Sequence, residues 1–211
     1  PLGGIFAAGN RAMIKPSELT PATSEVTKKM FEAYFDKSEA AVFTGDAEVG
    51  AAFSALPFDH LLFTGGTQIG KKVMKAASDN LVPVTLELGG KSPVIVDEDA
   101  NLSEVAKKVM RGKTMNAGQI CLAPYYLMLP KGRSKEFADA SNAAVSEMFA
   151  DLKYNEDYTS VINERHYERI NELVSDAKEK GAEVIQINPA DEDFEQQELH
   201  KIPPTLVLNP T

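Results

Sequence analysis

Short apolar runs alternate with longer segments of helical spacing through the first 88 residues of the chain. Four of these runs are predicted to be strands, at residues 12–15, 40–44, 60–64 and 82–86. Three helices are predicted between them, because Pro21, Asp46 and Thr67 stand where a first helical turn or an N-cap is expected. The helices are predicted to end near residues 36, 55 and 78. This alternation predicts an α/β fold, with a parallel sheet that is covered by helices.

A second series of elements begins after Gly89-Gly90. Its predicted strands lie at residues 93–96, 125–129 and 182–187, and its predicted helices at residues 102–113, 133–150 and 163–180. Asn101 or Ser103 can cap the first of these helices, Asn163 can cap the last, and Gly181 can end it. The pattern therefore predicts two domains, over residues 1–88 and residues 89–211.

Three segments are predicted to lie outside these elements. Residues 1–10 are predicted to form a loop, and the acidic residues 189–198 a solvated loop without a ligand role. Residues 205–211 are predicted to be a strand that leads toward further chain. Because the chain also begins at Pro1 rather than at Met, we predict that it is the central part of a longer polypeptide, truncated on both sides.

The predicted parallel sheet places several polar segments at one edge. Ligands of such sheets bind at the carboxyl ends of the strands. The crossovers are expected to be right-handed, so the strand ends meet on the same side. We therefore expect residues 15–18, Gly45, residues 64–70 and Glu87 to line one crevice.

Composition excludes several classes of function. The net charge of −9, from 22 basic and 31 acidic residues, argues against a nucleic-acid surface. A single cysteine excludes an internal disulfide and predicts a reducing, cytoplasmic location. The chain has no apolar run near the ~20 residues of a membrane span, so no membrane association is predicted. The three histidines are scattered without ligand spacing, so no metal site is predicted.

Two reactive side chains stand beside small residues. Cys121, which follows Gly118-Gln119, can act as a nucleophile, although a lone cysteine is more often a small buried hydrophobe. Glu87, which precedes Gly89-Gly90, can act as a general base, although a lone glutamate at a strand end is usually a solvated charge. We expect burial beside Leu86 and Leu88 to raise the pKa of Glu87 and make it a better base.

Four segments resemble motifs of the NAD(P)-dependent aldehyde dehydrogenase family. The strongest are Leu-Glu-Leu-Gly-Gly-Lys at 86–91 and Gly-Gln-Ile-Cys at 118–121. Phe-Thr-Gly-Gly-Thr-Gln-Ile-Gly at 63–70 resembles the coenzyme pyrophosphate loop, in which the family often carries Ser at the position of Gly66. Ile-Lys-Pro-Ser-Glu at 14–18 resembles the segment that holds the adenosine ribose. Within the family, residues 45–63 are most similar to bacterial coniferyl-aldehyde dehydrogenases.

This resemblance implies a Rossmann-like coenzyme domain over residues 1–88, followed by part of an α/β catalytic domain that bears Cys121. It implies Cys121 as nucleophile, Glu87 as the base that activates water, and an aldehyde as substrate. The implied coenzyme-binding residues are Lys15, Ser17, Glu18, Phe63, Thr64, Gly65, Gly66, Thr67, Ile69, Gly70 and Leu88. NAD is favoured over NADP, because a carboxylate at Glu18 repels a 2′-phosphate. The family also implies a homodimeric or homotetrameric parent protein.

Other functions stay open at this point. A CoA-acylating relative would transfer the acyl group to CoA, but it commonly lacks the glutamate that Glu87 supplies. Alternatively, Cys121 could be the nucleophile of a thioesterase or an esterase, which carries out no redox chemistry. The chain could also be a folded piece that binds a nucleotide without turnover. Because the resemblance places the second oxyanion donor, an Asn side chain, before Pro1, we expect the 211-residue chain to be less active than its parent. Lys91 and Asn116 match motif positions and are expected to have packing or positioning roles.

Overall fold

A computed structural model describes residues 1–195 and 197–208. The chain divides into two compact units, Pro1–Leu88 and Gly89–Thr211. Within the described residues, no helix combines the length and the apolar character that crossing a membrane requires.

The first unit alternates helices and strands, as the sequence pattern predicts. Its elements are α1 (Leu2–Ala7), β1 (Ala12–Ile14), α2 (Pro21–Tyr34), β2 (Ala40–Val42), α3 (Ala47–Ser54), β3 (Leu61–Thr64), α4 (Thr67–Ser78) and β4 (Val84–Glu87). Helix α1 corrects the prediction of a loop over residues 1–10. This helix contains a Gly-Gly pair, lacks a side-chain cap and has no buried residue. Its sequence therefore carries none of the features that predict a helix.

The strands of this unit pair in parallel. Strand β1 pairs with β2 from Ala12↔Ala40 to Ile14↔Val42, and β3 pairs with β4 from Leu61↔Val84 to Thr64↔Glu87. Their hydrogen bonds thus form two parallel pairs, where the sequence pattern predicted a single four-stranded sheet. In each pair the carboxyl ends of both strands lie at the same edge.

The core of the first unit consists of two small clusters. Leu61, Val73, Ala77 and Val82 form one between α4 and the β3–β4 pair. The other contains Phe31, which is the buried member of the apolar stripe on α2. Phe35 stacks on Phe31 with ring centroids 5.2 Å apart, whereas Val26, Met30 and Tyr34 are exposed. The apolar residues of α2 therefore bury little of their area within the first unit.

The second unit is built around a larger core. Its elements are β5 (Ser92–Ile95), α5 (Leu102–Thr114), β6 (Pro124–Met128), α6 (Ser134–Met148), α7 (Glu164–Glu179), β7 (Glu183–Gln186) and β8 (Thr205–Leu208). Strands β5 and β6 are parallel, and β7 and β8 are antiparallel. Helices α5 and α6 pack on each other through a cluster that includes Leu102, Met110 and Phe137, each exposed by only 2%.

The predicted caps of this unit are present. The Asn101 side chain accepts hydrogen bonds from the N–H groups of Ser103 and Glu104, at 3.0 and 3.4 Å. The Asn163 side chain caps α7 through the N–H of His166, at 3.0 Å. Gly181 follows α7 with φ +86°, a left-handed conformation that suits glycine.

The described residues of the acidic segment 189–198 form a loop with exposed carboxylates, as predicted, but Glu192 ties this loop to the rest of the unit. The carboxylate of Glu192 accepts hydrogen bonds from the N–H groups of Leu152 and Lys153, at 2.6 and 3.0 Å. The segment therefore closes on residues about forty positions earlier, and Leu152 is fully buried there. Residue 196 and the last part of the predicted strand at 205–211, residues 209–211, lie outside the described residues.

Candidate functional site

The carboxyl ends of β3 and β4 bring the 64–70 loop to Glu87. Thr64 is paired with Glu87 in the strand register. The N–H of Gly65 donates to the carbonyl oxygen of Glu87, at 3.0 Å. The sequence pattern expected these segments at one edge, and the structure brings them together there.

Helix α4 begins at this edge and is capped by Gly66, which has φ −75° and ψ 147°. The carbonyl oxygen of Gly66 accepts from the N–H groups of Ile69 and Gly70. With no side chain at Gly66, no cap blocks the first turn, and the position of a Cβ there is open space. Thr67 and Ile69 are exposed. The positive end of a twelve-residue helix therefore faces outward beside Glu87.

Two glycines of the loop allow close approach. A Cβ on Gly65 would lie 2.5 Å from the Phe63 ring, and a Cβ on Gly70 would lie 2.8 Å from Leu88 Cδ2. Phe63 and Leu88 therefore pack on the loop and on the first turn of α4. Their contacts fix where the helix starts.

Glu87 is exposed, and the expected burial beside Leu86 and Leu88 is wrong for this unit. Successive side chains of a strand point to opposite faces. Leu86 and Leu88 both face Gly70 of α4, with Leu86 Cδ1 3.8 Å from the Cβ position of that glycine. The alternation places Glu87 on the other face, away from both leucines.

The carboxyl ends of β1 and β2 form a second edge. A cavity of 290 Å³ opens there, lined by Pro16, Ser17, Glu18, Pro21, Ser24, Glu25, Thr44 and Gly45. Ser17 ties the loop to α2, because its carbonyl oxygen accepts from the buried Ser24 hydroxyl at 2.9 Å. Residues 15–18 and Gly45 thus share an edge, but this edge belongs to a different strand pair from the one that carries residues 64–70 and Glu87, whereas the sequence pattern predicted one crevice for all four segments.

Lys15 and Glu18 form an ion pair at this cavity, with Lys15 Nζ 2.8 Å from Glu18 Oε2. The hydrogen bond from Lys15 lowers the pKa of Glu18. The Lys15 side chain is largely buried, at 11% exposure, whereas that of Glu18 is 45% exposed. The charges of Lys15 and Glu18 therefore compensate each other, and the second carboxylate oxygen of Glu18, Oε1, can accept a hydrogen bond from a hydroxyl group.

Cys121 lies in the second unit, exposed, after an unusual turn. Asn116, Ala117 and Gly118 all have left-handed backbone, with φ of 50°, 52° and 73°. Such a conformation costs about 1–2 kcal/mol at a non-glycine residue such as Ala117. Strain of this kind is held only where surrounding contacts determine the backbone.

One such contact joins the two signature segments. A Cβ on Gly90 would lie 2.7 Å from the carbonyl oxygen of Cys121, so these backbones meet at a distance that only glycine allows. Gly112 lies similarly close to Pro124, with 3.3 Å from its Cβ position to Pro124 Cδ. The Cys121 segment is therefore confined at Cys121 itself and at Pro124, three residues later.

Two lysines and a tyrosine also flank this segment. Lys91 Nζ lies 3.6 Å from the centre of the Tyr125 ring, and Lys113 Nζ lies 6.0 Å from it. The Lys113 side chain runs under Gly118, with its Cε 3.1 Å from the Cβ position of that glycine. Burial lowers the pKa of Lys113, and the charge of Lys91 lowers it further. Lys91 thus has the packing role expected for it, whereas Lys113 and Tyr125 were not singled out from the sequence.

Gln119 is a further residue that sequence reasoning passed over. Its side chain binds the backbone of Ser160 and Ile162. Asn116 binds locally, with its Nδ2 donating to the Gln119 carbonyl at 3.2 Å. The motif glutamine was visible in the sequence, but its partners are backbone groups more than forty residues away and leave no signal there.

The histidines take no part in these segments. His60 contacts the Thr85 hydroxyl at 3.0 Å, and His200 is paired with Glu164. His166 lies in α7, where burial lowers its pKa. Among the described residues, no group of three or more His, Cys, Asp or Glu side chains could hold a metal ion.

Comparison with known proteins places these features in a family. The model of the aldehyde dehydrogenase family matches residues 2–211. The chain is 60% identical to the probable coniferyl aldehyde dehydrogenase of Caulobacter vibrioides, over all of this chain and 44% of that protein. The substrate-bound structure of Staphylococcus aureus AldH superposes with a TM-score of 0.86 at 38% identity, over 98% of this chain and 44% of that one. An aldehyde dehydrogenase of Mycobacterium tuberculosis, solved with NAD+, gives a TM-score of 0.80 at 27% identity, over 95% and 42% of the two chains.

The chain thus spans less than half the length of the proteins it matches. Its four motif segments lie within the matched region, and the alternation of helices and strands matches in three dimensions. This chain belongs to the aldehyde dehydrogenase family.

Proposed function

We propose that a protein containing this chain oxidises an aldehyde to a carboxylate with NAD, through Cys121 as nucleophile and Glu87 as general base. The observation that carries this proposal is the hydrogen bond from Gly65 to Glu87, which sets a helix N-terminus and a free carboxylate at one sheet edge. A hydride-transfer enzyme that hydrolyses its intermediate needs both an anion-binding site and a base near the reacting carbon.

The first unit fits the two ends of a dinucleotide. The uncapped first turn of α4 offers N–H groups and a positive dipole end to a pyrophosphate. Gly66 leaves the space for that approach, while Phe63, Thr64, Gly65, Thr67, Ile69, Gly70 and Leu88 shape the loop and the helix start. At the other edge, Ser17 and Glu18 line the 290 Å³ cavity and would accept hydrogen bonds from ribose hydroxyls, with Lys15 holding Glu18 in place.

The charge at this cavity supports NAD over NADP. Glu18 is a carboxylate whose pKa is lowered, so it is ionised at neutral pH. An ionised carboxylate accepts from a 2′-hydroxyl and repels a 2′-phosphate. Lys15, which is paired with Glu18, neutralises part of this negative charge and so softens the preference without reversing it.

Bound NAD would accept the hydride. The chain itself supplies the other steps. Cys121 as thiolate attacks the aldehyde carbon, and its own backbone N–H can donate to the oxyanion. Loss of the hydride leaves a thioester on Cys121. Glu87 then takes a proton from water, and the resulting hydroxide attacks the thioester. The C–S bond breaks, the carboxylate leaves with Cys121 as the thiol, and Glu87 and Cys121 each release a proton to solvent before the next cycle.

An aromatic aldehyde is the substrate class we propose. The relative from Caulobacter carries the name probable coniferyl aldehyde dehydrogenase, and 60% identity supports a shared substrate. In the second unit, an open cavity of 510 Å³ is lined by Asn116 of the turn before Cys121, by the polar or charged Arg111, Thr114 and Asp157, and by Met115, Met148 and Phe149. The last three side chains offer apolar contacts to a planar ring, and the others offer polar groups to its substituents.

The test is NADH formation by a full-length protein that carries this chain, with coniferyl aldehyde and with propanal. We expect turnover to be lost in Cys121→Ala. In Glu87→Gln we expect steady turnover to fall by about 10²–10⁴-fold, the usual contribution of a general base, while the first NADH per site still forms. The matched control is Glu32→Gln, an exposed glutamate of α2, which should behave as the unchanged protein.

Other outcomes would select other functions. Turnover that requires CoA would identify the CoA-acylating reaction. Ester hydrolysis by Cys121 without any NADH would identify an esterase. If no NADH forms with a broad set of aldehydes, the proposal is wrong.

A further inference from the structure

The side chain of Gln119 makes three hydrogen bonds to backbone groups. Its Nε2 donates to the carbonyl oxygens of Asn116 and Ser160, each at 3.0 Å. Its Oε1 accepts from the N–H of Ile162, at 3.0 Å. A primary amide has two N–H donors, and both are used here. The opposite orientation of the amide would face its oxygen toward two carbonyl oxygens, so the assignment is chemically fixed.

These bonds connect segments that are far apart in sequence. Ser160 and Ile162 follow Gln119 by 41 and 43 residues. The amide lies against their backbone as a neighbouring strand would, with one donor and one acceptor. On the other side, Gln119 N–H donates to the Asn116 carbonyl at 3.0 Å, which closes the left-handed turn before Cys121.

The 160–162 segment is a firm anchor. Val161 is buried, at 4% exposure, and its N–H donates to the carbonyl oxygen of His200 at 2.9 Å. Asn163, two residues after Val161, caps α7. A turn that is tied to this segment is therefore tied to the folded body of the second unit.

We propose that Gln119 is a positioning residue for Cys121, which holds the strained turn 116–118 and the cysteine after it against the 160–162 segment. Its importance for turnover rests on the function proposed above, whereas its effect on the thiol does not. Exposed cysteines are free to adopt many orientations, and a nucleophile needs one. The amide supplies that constraint from a residue that has no contact with the reacting atoms in the proposed mechanism.

The test compares Gln119→Met and Gln119→Asn with the unchanged 211-residue chain. Methionine has the length of glutamine without its hydrogen bonds, and asparagine keeps the amide but is one methylene shorter. Two measurements need neither NAD nor aldehyde: amide hydrogen exchange at Ile162, and the rate of iodoacetamide labelling of Cys121 against pH. Val145→Ala, in the fully buried core of the same unit, is the control for a general loss of stability.

We expect exchange at Ile162 to be about tenfold faster in Gln119→Met, as the loss of one hydrogen bond implies. We also expect the labelling profile of Cys121 to move toward that of a cysteine in an unstructured peptide. Gln119→Asn should lie between Gln119→Met and the unchanged chain, and Val145→Ala should leave the profile unmoved. Should Gln119→Met not fold, Gln119→Asn gives both readouts.

An unmoved Cys121 profile together with faster exchange at Ile162 would show that Gln119 only holds the 160–162 segment, and would overturn the proposal. An equal shift in Val145→Ala would overturn it as well. The exchange and labelling measurements do not depend on NADH formation. Failure of the full-length protein to form NADH would therefore overturn the proposed aldehyde oxidation without deciding whether Gln119 positions Cys121.

Discussion

Gly90 sets the closest backbone approach around Cys121. A Cβ at residue 90 would lie 2.7 Å from the carbonyl oxygen of Cys121, and that oxygen belongs to the backbone, so it cannot rotate away. We expect Gly90→Ala to lower the free energy of unfolding by about 1–3 kcal/mol, the usual cost of overpacking. Thermal or urea denaturation followed by circular dichroism measures this.

The neighbouring glycine is the matched control for that substitution. A Cβ at Gly89 would meet nothing within 4 Å, so Gly89→Ala should leave stability nearly unchanged. Equal effects of the two substitutions would show that Gly90 is not confined by Cys121. Because the pair differ by a single position, differences in chain entropy largely cancel.

The ion pair of Lys15 and Glu18 predicts a pH dependence. The pKa of Glu18 is lowered in the fold, so its contribution to stability is complete above the ordinary value of 4.5. It is lost as the pH falls through the lowered value, because the folded state then also binds the proton. We expect Glu18→Gln to be less stable than the unchanged chain at pH 7, with a difference that narrows below pH 4.5.

Urea denaturation at several pH values measures this difference. Because the side chain of Glu18 is 45% exposed, solvent screens the ion pair, and the expected difference in the free energy of unfolding is small. In a Lys15→Met background, Glu18→Gln should change stability little at any pH, because the partner is gone. A difference that persists in that background would assign the effect to another contact.

At the scale of elements, the start of α4 separates two roles of glycine in one motif. A Cβ at Gly70 would lie 2.8 Å from Leu88 Cδ2, whereas a Cβ at Gly66 would meet open space. Gly70→Ala is therefore expected to destabilise the first unit by about 1–3 kcal/mol through overpacking. Gly66→Ser is expected to raise the free energy of unfolding by a few tenths of a kcal/mol, because serine is a better N-cap than glycine.

Thermal denaturation measures whether Gly70→Ala lowers the stability and whether Gly66→Ser raises it. A loss of stability in Gly66→Ser would show that residue 66 is more confined than its surroundings indicate. The comparison also explains why serine is accepted at this position of the motif while the site of Gly70 calls for glycine. The Cβ position of Gly66 faces open space at the start of α4, whereas that of Gly70 faces Leu86 and Leu88 at the end of β4.

How far the sequence predicts these elements depends on how local their signals are. Helices α3, α5 and α7 are capped by Asp46, Asn101 and Asn163, whose side chains accept hydrogen bonds from the first turn as expected. Helix α1 has no such signal and was missed. The grouping of strands into two pairs was also missed, because register between strands is set by contacts across the sheet and not by periodicity.

The candidate site shows the same division. The placement of residues 64–70 beside Glu87 follows from strand order alone, and the structure confirms it. The exposure of Glu87 was within reach of sequence reasoning, since Leu86 and Leu88 on either side must face the opposite way. The Gln119 contacts were not, because backbone partners carry no residue signature. The coenzyme and catalytic roles of these residues stay predictions.

At the scale of the whole chain, the two units differ in how much apolar surface they bury. The largest fully buried side chains, Phe137, Leu102, Met110, Leu152 and Ile187, all belong to the second unit. In the first unit, α2 buries Phe31 but leaves Val26, Met30 and Tyr34 exposed, at 66%, 51% and 80%. Burial of apolar area is the main source of resistance to local opening.

We therefore expect the amides of α5 and α6 to exchange with solvent more slowly than those of α2, by more than about tenfold after correction for intrinsic rates, since protection rises with burial. Hydrogen exchange with mass spectrometry on the 211-residue chain at pH 7 and 25 °C makes the comparison. The three helices have similar lengths, 13, 15 and 14 residues, so fraying at their ends contributes alike. Equal or slower exchange in α2 would contradict this expectation, and would mean that Phe31 and its stacked partner Phe35 protect that helix as well as the larger core protects α5 and α6.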